Sequence, residues 1–220
     1  MIIKEGAPEG WLYRYFDAPH KPGDSMTVPL RPIRRVVTGQ DAQGRSIVLY
    51  DSAAPLVSSG VNAVAKSGAM TDVWVYRGCP IQVTGTRDEG SGPFSFDPPA
   101  DGGHLRIVHS AGKPADYDPA ADGSAKPLCE PFLRGNGHTW DRGGANAFSS
   151  PIHRSTTVDW AVVLEGRRTL LLDSGAYVME MGDTVVQLAN WHGWTNPDGP
   201  SLMAFMMMGS EDNGRGGKRE

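Results

Sequence analysis

The chain has few of the features that mark several large classes of protein. Its 220 residues include two cysteines, Cys79 and Cys129, which lie far apart and form no CxxC pair, so we expect a reduced, intracellular protein. No apolar run reaches the ~20 residues that a membrane-spanning helix needs. The start, MIIKEGAPEGW, has an early acidic residue and lacks the apolar core of a signal peptide. These absences predict a cytoplasmic protein with no membrane partner.

Charge of one sign is also missing. The net charge is −4, and the basic residues are scattered along the chain, so we expect no nucleic-acid partner. Walker loops, dinucleotide fingerprints and nucleophile elbows are absent. Cys129 has no evident partner base nearby in the sequence, which argues against a cysteine nucleophile.

Turn-forming residues are plentiful. The chain contains 28 glycines and 17 prolines and shows no long helical periodicity, which favours many short strands joined by turns. The clearest predicted strands have apolar or β-branched runs bounded by turn residues: Ile33–Gly39, Arg45–Asp51, Val61–Ala65, Thr71–Arg77, His104–Ser110, Val158–Gly166, Arg167–Asp173, Ala176–Gly182 and Leu202–Gly209. Ser174-Gly175 predicts a hairpin turn between two of them.

Composition divides the chain into three parts. Residues 1–32 predict an irregular arm that packs on the rest, residues 33–209 a single barrel, and residues 210–220 a flexible tail. Residues 111–147 predict a long loop with a helical turn or short helix around Asp116–Ala121. Such a loop is either functional or a solvent-exposed insertion, and the sequence leaves both open.

Two blocks in the last third carry the candidate chemistry. The first, His153 to Gly166, reads HRSTTVDWAVVLEG, and the second, Gly182 to Asn196, reads GDTVVQLANWHGWTN. Together they resemble the two sequence motifs of the cupin superfamily, and the resemblance covers about residues 151–209.

The match to the cupin motifs is partial. In the first motif His153, Asp159 and Gly166 match, with Asp in place of the usual Glu, and Ser155 stands where the second histidine is expected. In the second motif the matching residues are Gly182, His192 and Asn196, while Leu188 and Asn190 replace the usual proline and glycine. The chain is therefore similar to single-domain, cupin-2-like proteins with a degenerate first motif.

The resemblance implies an all-β fold. We expect a cupin-like β-barrel of the jelly-roll type, or a two-sheet sandwich, with an N-terminal arm and added strands. The strand VDWAVVLEG is apolar on both faces, so one face fills the barrel. The other face is covered either by the N-terminal segment or by a second subunit, and the resemblance implies a homodimer.

The resemblance also implies a metal site. His153, Asp159 and His192 would supply two imidazoles and one carboxylate to a divalent transition metal (Fe, Mn, Zn or Ni), leaving coordination positions open. Asp159 and His192 are then the candidate catalytic residues. The alternative is a hydrogen-bonded histidine that orients a turn, with Asp159 paired to Arg154 or Arg168.

Two further residues are predicted to line the substrate pocket. Ser155 occupies a motif position, and Trp194 shares a strand face with His192, where an indole suits a planar or aliphatic ligand. Trp160 follows Asp159 directly and so faces the opposite side, which favours core packing.

The fold hosts many reactions, so the resemblance leaves the chemistry open. We expect an enzyme acting on a small organic acid, enol or carbonyl compound, of the decarboxylase, isomerase, lyase or dioxygenase type. The alternative is a non-catalytic, metabolite-binding cupin without a working metal site, which Ser155 in place of histidine favours. A storage role lacks the second barrel expected of that class.

Overall fold

The computed structural model describes residues 32–40, 42–43, 45–59, 68–78, 80–82, 85–196 and 199–211. Regular structure in this part is almost entirely antiparallel β, which confirms the predicted all-β fold. The strands are β1 Arg34–Gln40, β2 Ser46–Ala53, β3 Leu56–Ser59, β4 Ala69–Tyr76, β5 Gly103–Ser110, β6 Leu128–Leu133, β7 Thr139–Gly143, β8 His153–Ser155, β9 Thr157–Glu165, β10 Arg168–Leu172, β11 Gly175–Met179, β12 Thr184–Leu188, β13 Gly193–Thr195 and β14 Ser201–Gly209, with one 3-10 turn at Glu89–Ser91. None of the described helical structure is long and apolar enough to cross a membrane.

The strands form two main layers and a separate hairpin. The larger layer is a six-stranded antiparallel sheet in the order β12-β9-β14-β5-β4-β3. The second layer consists of two three-stranded sheets, β6-β7-β8 and β11-β10-β13, while β1 and β2 pair only with each other. His153 and His192 join the two parts of the second layer, since the main-chain N–H of each donates to the carbonyl of the other, at 2.8 and 2.9 Å.

The core lies where the two layers face each other. On β9 the side chains alternate, so that Asp159 and Val163 are buried whereas Trp160 is exposed. Met203 and Phe205 of β14 lie in the same buried cluster, together with Leu170 of β10 and Trp194 of β13. Each large apolar side chain buried in this way contributes roughly 1.5–3 kcal/mol to folding.

Glycines set the two ends of β10. Gly166, which precedes the strand, has φ +70°, and a Cβ there would collide with the carbonyl oxygen of Pro200. Gly175, at the start of β11, has φ +139° and faces open space. The predicted hairpin at Ser174-Gly175 is confirmed, because Leu172 pairs with Gly175 across it.

Most predicted strands are confirmed within one or two residues at each end. The strand predicted at Val61–Ala65 lies outside the described residues. So do residues 1–31 of the predicted arm and residues 212–220 of the predicted tail, so the three-part division of the chain stays a prediction.

The long loop predicted at residues 111–147 is wrong in its second half. It contains β6 and β7, and the stretch around Asp116–Ala121 is a pair of turns, with Tyr117 N–H donating to Pro114 O and Ala121 N–H to Asp118 O. Every residue of β6 is exposed, so the strand shows no burial alternation that a sequence pattern could reveal.

Candidate functional site

A cavity of about 780 Å³ lies between the two layers. All five residues that the sequence placed at a site or pocket line it: His153, Ser155, Asp159, His192 and Trp194. His153 and Ser155 come from β8, His192 and Trp194 from the β13 segment, and Asp159 from β9 in the opposite sheet. The fold therefore brings the residues of both motifs to one chamber.

The two histidines form the closest pair in this group. Their ring centroids are 4.5 Å apart, because the main-chain pairing of residues 153 and 192 places both side chains on one face. Nδ1 of His153 donates to Pro151 O at 2.8 Å, and Nδ1 of His192 donates to Asn190 O at 2.9 Å. A carbonyl only accepts, so in both neutral rings Nε2 is the nitrogen that carries a lone pair.

Burial keeps both rings uncharged. Desolvation, together with the neighbouring His192, lowers the pKa of His153 to about 3, although the bond to the Pro151 carbonyl acts in the opposite direction. The pKa of His192 is also lowered by burial, opposed by the Asn190 carbonyl. Neutral imidazoles with a fixed tautomer are the form that binds a metal or accepts a proton.

Asp159 brings an unsatisfied carboxylate oxygen to the cavity. Its Oδ1 is buried and has no hydrogen-bond partner among the residues that the structure describes. Burial raises the pKa of Asp159 to about 6, and the hydrogen bond from Thr157 opposes that rise. Of the nearby charges, Asp97 raises the pKa of Asp159 and Arg106 lowers it. Asp159 is therefore a carboxyl group with a free acceptor and an altered proton affinity.

The structure brings two of the three predicted metal ligands side by side. His153 and His192 present two imidazoles as a metal site requires, and Asp159 lines the same cavity. In the part of the chain that the structure describes, however, no three His, Cys, Asp or Glu side chains lie close enough together to hold a metal ion. The imidazole part of the ligand set fits a divalent metal, and the three-ligand set is not assembled.

Ser155 is part of a buried hydroxyl and carboxylate network. Thr139 of β7 donates its single hydroxyl proton to Asp97, at 2.8 Å from Oδ1. The Ser155 hydroxyl, 3.0 Å from the Thr139 hydroxyl, must then donate to it. The position expected for a second histidine is therefore held by a small side chain tied to the cavity wall.

Trp194 forms an aromatic wall beside the histidine pair. Its ring centroid lies 6.5 Å from that of His192 and 5.8 Å from that of Phe205, both in edge-on arrangements. Trp160 points the other way and is 50% exposed. Core packing, expected for Trp160 from the sequence, is wrong, because its strand face lies outside the barrel.

The cavity wall also has polar residues that the sequence did not assign to the pocket, among them Arg106, Arg168 and Gln187. Arg106 forms a buried ion pair with Asp72 at 2.6 Å. Both amide atoms of Gln187 are buried, and within the described part of the chain they have no hydrogen-bond partner. The available signal was periodicity, since each of the three lies two residues from an apolar side chain of the core: Val108, Leu170 and Val185 respectively.

Asn196, the asparagine of the second motif, has a structural role. Its Nδ2 donates to Ala111 O at 2.5 Å, and its Oδ1 accepts from Ser201 at 3.0 Å. The asparagine of the second motif thus holds the turn between β13 and β14 against the end of β5.

No family model matches the chain. Three curated relatives do match parts of it, all bearing the name cupin-domain-containing oxidoreductase: virC of Hypocrea virens, fogC of Aspergillus ruber and srdD of Neurospora crassa. The predicted cupin resemblance is confirmed.

The similarity to these cupins is local. The identity to virC is 42% over 60 residues, which is 27% of this chain and 31% of virC. The identity to fogC is 38% over 80 residues, 34% of this chain and 39% of fogC. The identity to srdD is 45% over 60 residues, 27% of this chain and 31% of srdD. The matched part of the chain thus spans about a third of the length of each relative.

Solved cupin structures also resemble the chain. A cupin 2 conserved barrel domain protein from Rhodopseudomonas palustris has 12% identity and a TM-score of 0.37, covering 80% of this chain and 83% of its own. The cupin domain of Schizosaccharomyces pombe Cnp3 has 10% identity and a TM-score of 0.37, with the same two coverages.

Proposed function

We propose that this cupin is an enzyme that acts on a small organic acid, enol or carbonyl compound in the cavity between its two layers. The observation that carries the proposal is the pair of buried, neutral imidazoles of His153 and His192 on the wall of a cavity of about 780 Å³. A cavity of this size is in the range of small-molecule sites. The oxidoreductase names of the three relatives support an enzymatic role.

The histidine pair is where a divalent transition metal would bind. Such an ion supplies Lewis-acid polarisation of a carbonyl, enol or carboxylate oxygen of the substrate. The protein prepares the pair for this role by fixing each ring through its Nδ1–H bond to a main-chain carbonyl.

The remaining cavity residues act on the substrate itself. Asp159 offers a carboxylate oxygen that no protein group occupies, so it can accept a hydrogen bond or a proton from the substrate. Trp194 and Phe205 exclude water from one side of the histidine pair and supply an apolar wall. Decarboxylation, isomerisation, elimination and dioxygenation all remain compatible with these groups.

The experiment measures metal content and turnover in the same preparations. Full-length protein purified without chelator is assayed by plasma mass spectrometry for Fe, Mn, Ni and Zn. It is also incubated with a panel of 2-oxo and 2-hydroxy acids that is followed by NMR. We expect His153→Ala and His192→Ala each to lower metal occupancy and turnover. The double variant should lose little more, because groups that act as a unit are not additive.

The matched control is His138→Ala, since His138 is exposed and does not line the cavity. Asp159→Ala is measured in the same way. A loss of metal occupancy in this variant would indicate that the carboxylate binds the metal together with the two imidazoles. Folded variants of His153 and His192 that keep full turnover would contradict the proposed site.

A second candidate is a metabolite-binding cupin without a working metal site. Two observations favour it: the described residues contain no three-ligand group, and the Ser155 hydroxyl is engaged with Thr139. A metal-free protein that binds members of the same panel and turns over none of them would select this candidate.

A further inference from the structure

Arg168 is a buried cation without an anionic partner in the described part of the chain. It opens β10, lines the cavity and is 8% exposed, and its Nε and Nη1 atoms are buried with no hydrogen-bond partner. Two other buried arginines do have one, since Arg35 pairs with Asp88 and Arg106 with Asp72. Arg168 therefore differs from its neighbours in the feature that usually makes a buried guanidinium tolerable.

The aromatic neighbour of Arg168 does not replace that partner. The guanidinium carbon lies 5.4 Å from the centre of the Trp194 ring, so the indole face stabilises the cation through its π electrons. The five N–H donors of a guanidinium, however, lie in its own plane. Stacking on an aromatic face leaves those donors directed elsewhere, in the fork geometry that matches a carboxylate.

Trp194 lies between Arg168 and the histidine pair. Leu170 stands opposite Trp194 in the β10–β13 register, so Arg168, two residues earlier, is displaced along the sheet toward Asn196. His192 lies two residues to the other side of Trp194, with ring centroids 6.5 Å apart. A ligand that spans the two ends must lie along Trp194, with Phe205 packed edge-on beside it.

We infer that Arg168 binds an anionic group of the substrate, a carboxylate in the first instance, while the substrate's apolar body lies against Trp194 and its reacting end meets His153 and His192. This inference rests on the proposed function and deepens it. The substrate class is a small organic acid with an aromatic or branched aliphatic body. The anionic group neutralises the unpaired guanidinium, and the bidentate fork fixes which end of the molecule faces the histidines.

The test measures binding of three probes to the full chain by isothermal titration calorimetry. The probes are benzoate, its uncharged analogue benzamide, and phenyl phosphate. Comparing benzoate with phenyl phosphate shows whether Arg168 prefers a carboxylate or a phosphate. We expect benzoate to bind the wild type and to lose roughly tenfold to a hundredfold in affinity in Arg168→Met, as for a hydrogen-bonded charge. Benzamide should bind weakly, and its affinity should differ by no more than about twofold between the wild type and Arg168→Met, since the amide lacks the negative charge that Arg168 binds.

Two further variants keep the test decisive. Arg167→Met removes the adjacent, exposed arginine that lies 4.0 Å from Glu180, and we expect its benzoate affinity to match the wild type. Arg168→Lys retains the charge without the fork, so we expect partial retention of affinity. If Arg168→Met does not fold, the benzoate affinity of Arg168→Lys tests the inference instead.

Thermal denaturation separates a binding role from a structural one. Since the unpaired cation destabilises the empty cavity, Arg168→Met should raise the melting temperature while it abolishes the stabilisation that benzoate gives the wild type. A melting temperature that falls, with benzoate affinity unchanged, would overturn the inference. Tighter binding of phenyl phosphate than of benzoate would assign the site to phosphorylated ligands and overturn the carboxylate assignment. The histidine variants described above test the proposed function separately, because their readout is turnover.

Discussion

At the scale of single residues, the site is defined by polar groups that the protein leaves without partners. Most buried polar atoms in a folded protein are hydrogen-bonded. In this cavity five atoms have no hydrogen-bond partner among residues 32–211 as far as the structure describes them: Asp159 Oδ1, both amide atoms of Gln187, and Nε and Nη1 of Arg168. Because the three side chains line one chamber, a ligand that carries complementary donors and acceptors would find partners for them there.

Asp159 gives a prediction for the pH dependence of stability. Its pKa is raised from 3.8 to about 6, mainly by burial, so the folded state binds this proton more tightly than the unfolded state. Stability must then fall as pH rises from about 4 to about 6. Asp159→Asn removes that dependence, and we expect the variant to be more stable than the wild type by up to about 3 kcal/mol above pH 6, at 1.36 kcal/mol per unit.

Below about pH 4 the two proteins should be equally stable, because the wild-type carboxyl group is then neutral in both states. Urea denaturation of chelator-treated protein from pH 3.5 to pH 8 makes the comparison, with Asp116→Asn at an exposed position as the matched control. Parallel stability curves for the wild type and Asp159→Asn would show that the ionised carboxylate is compensated in the folded state.

At the scale of elements, the strand β10 is fixed at both ends by glycines of different kinds. Gly166 needs its positive φ and also has no room for a Cβ, because the carbonyl oxygen of Pro200 stands against it. Gly175 needs its positive φ alone, since open space surrounds it. The first glycine fixes how β10 approaches the start of β14, and with it the position of Arg168.

The two glycines therefore predict a difference in cost. Gly175→Ala should destabilise the protein by roughly 1–2 kcal/mol, the cost of a left-handed backbone for an ordinary residue. Gly166→Ala should cost roughly 2–4 kcal/mol, because the steric conflict adds to the same backbone strain. Chemical denaturation of the two variants in parallel measures both numbers, and equal losses would be inconsistent with the close approach of Gly166 to Pro200.

At the scale of the whole molecule, the outer face of the larger sheet is apolar and uncovered in the described structure. Trp160 is 50% exposed, and Val186, its register partner on the edge strand β12, is 57% exposed. Leu188 of the same strand is 69% exposed. Monomeric proteins rarely leave large contiguous apolar patches in water, and an edge strand also offers unpaired main-chain groups.

We propose that a second copy of the chain covers this face, which gives the homodimer expected from the sequence. Analytical ultracentrifugation should then show a species of twice the 23.6 kDa chain mass. Trp160→Glu should shift it toward monomer, because a charge placed in an apolar interface must be desolvated. Tyr177→Glu, at a position that is 48% exposed on β11 of the other layer, is the matched control. A wild type that sediments as a monomer at all concentrations contradicts the dimer.

Much of this organisation could be predicted from the local pattern of the chain. Apolar or β-branched runs bounded by turn residues predicted β4, β5, β9, β10, β11 and β14, and Ser174-Gly175 predicted the hairpin, because strand propensity and turn chemistry are local properties. The spacing of His153, Asp159 and His192 also indicated the part of the chain that lines the cavity. Fully exposed β6 left no such pattern, so the sequence alone predicted a loop there.

Only the tertiary structure decided which groups meet and which stay unpaired. His153 and His192 become neighbours through a main-chain pairing between residues 39 positions apart, and no local rule specifies that pairing. Whether Arg168 forms an ion pair depends on which carboxylates distant strands bring near it, and Asp72 of β4 and Asp141 of β7 are already bound to other arginines. The sequence by itself determined an all-β chain that resembles cupins, together with its candidate residues, since strand runs, turn residues and motif spacing are local features of the sequence. The unpartnered guanidinium arises only when distant strands are packed together, because burial and pairing are properties of the folded surroundings of a residue.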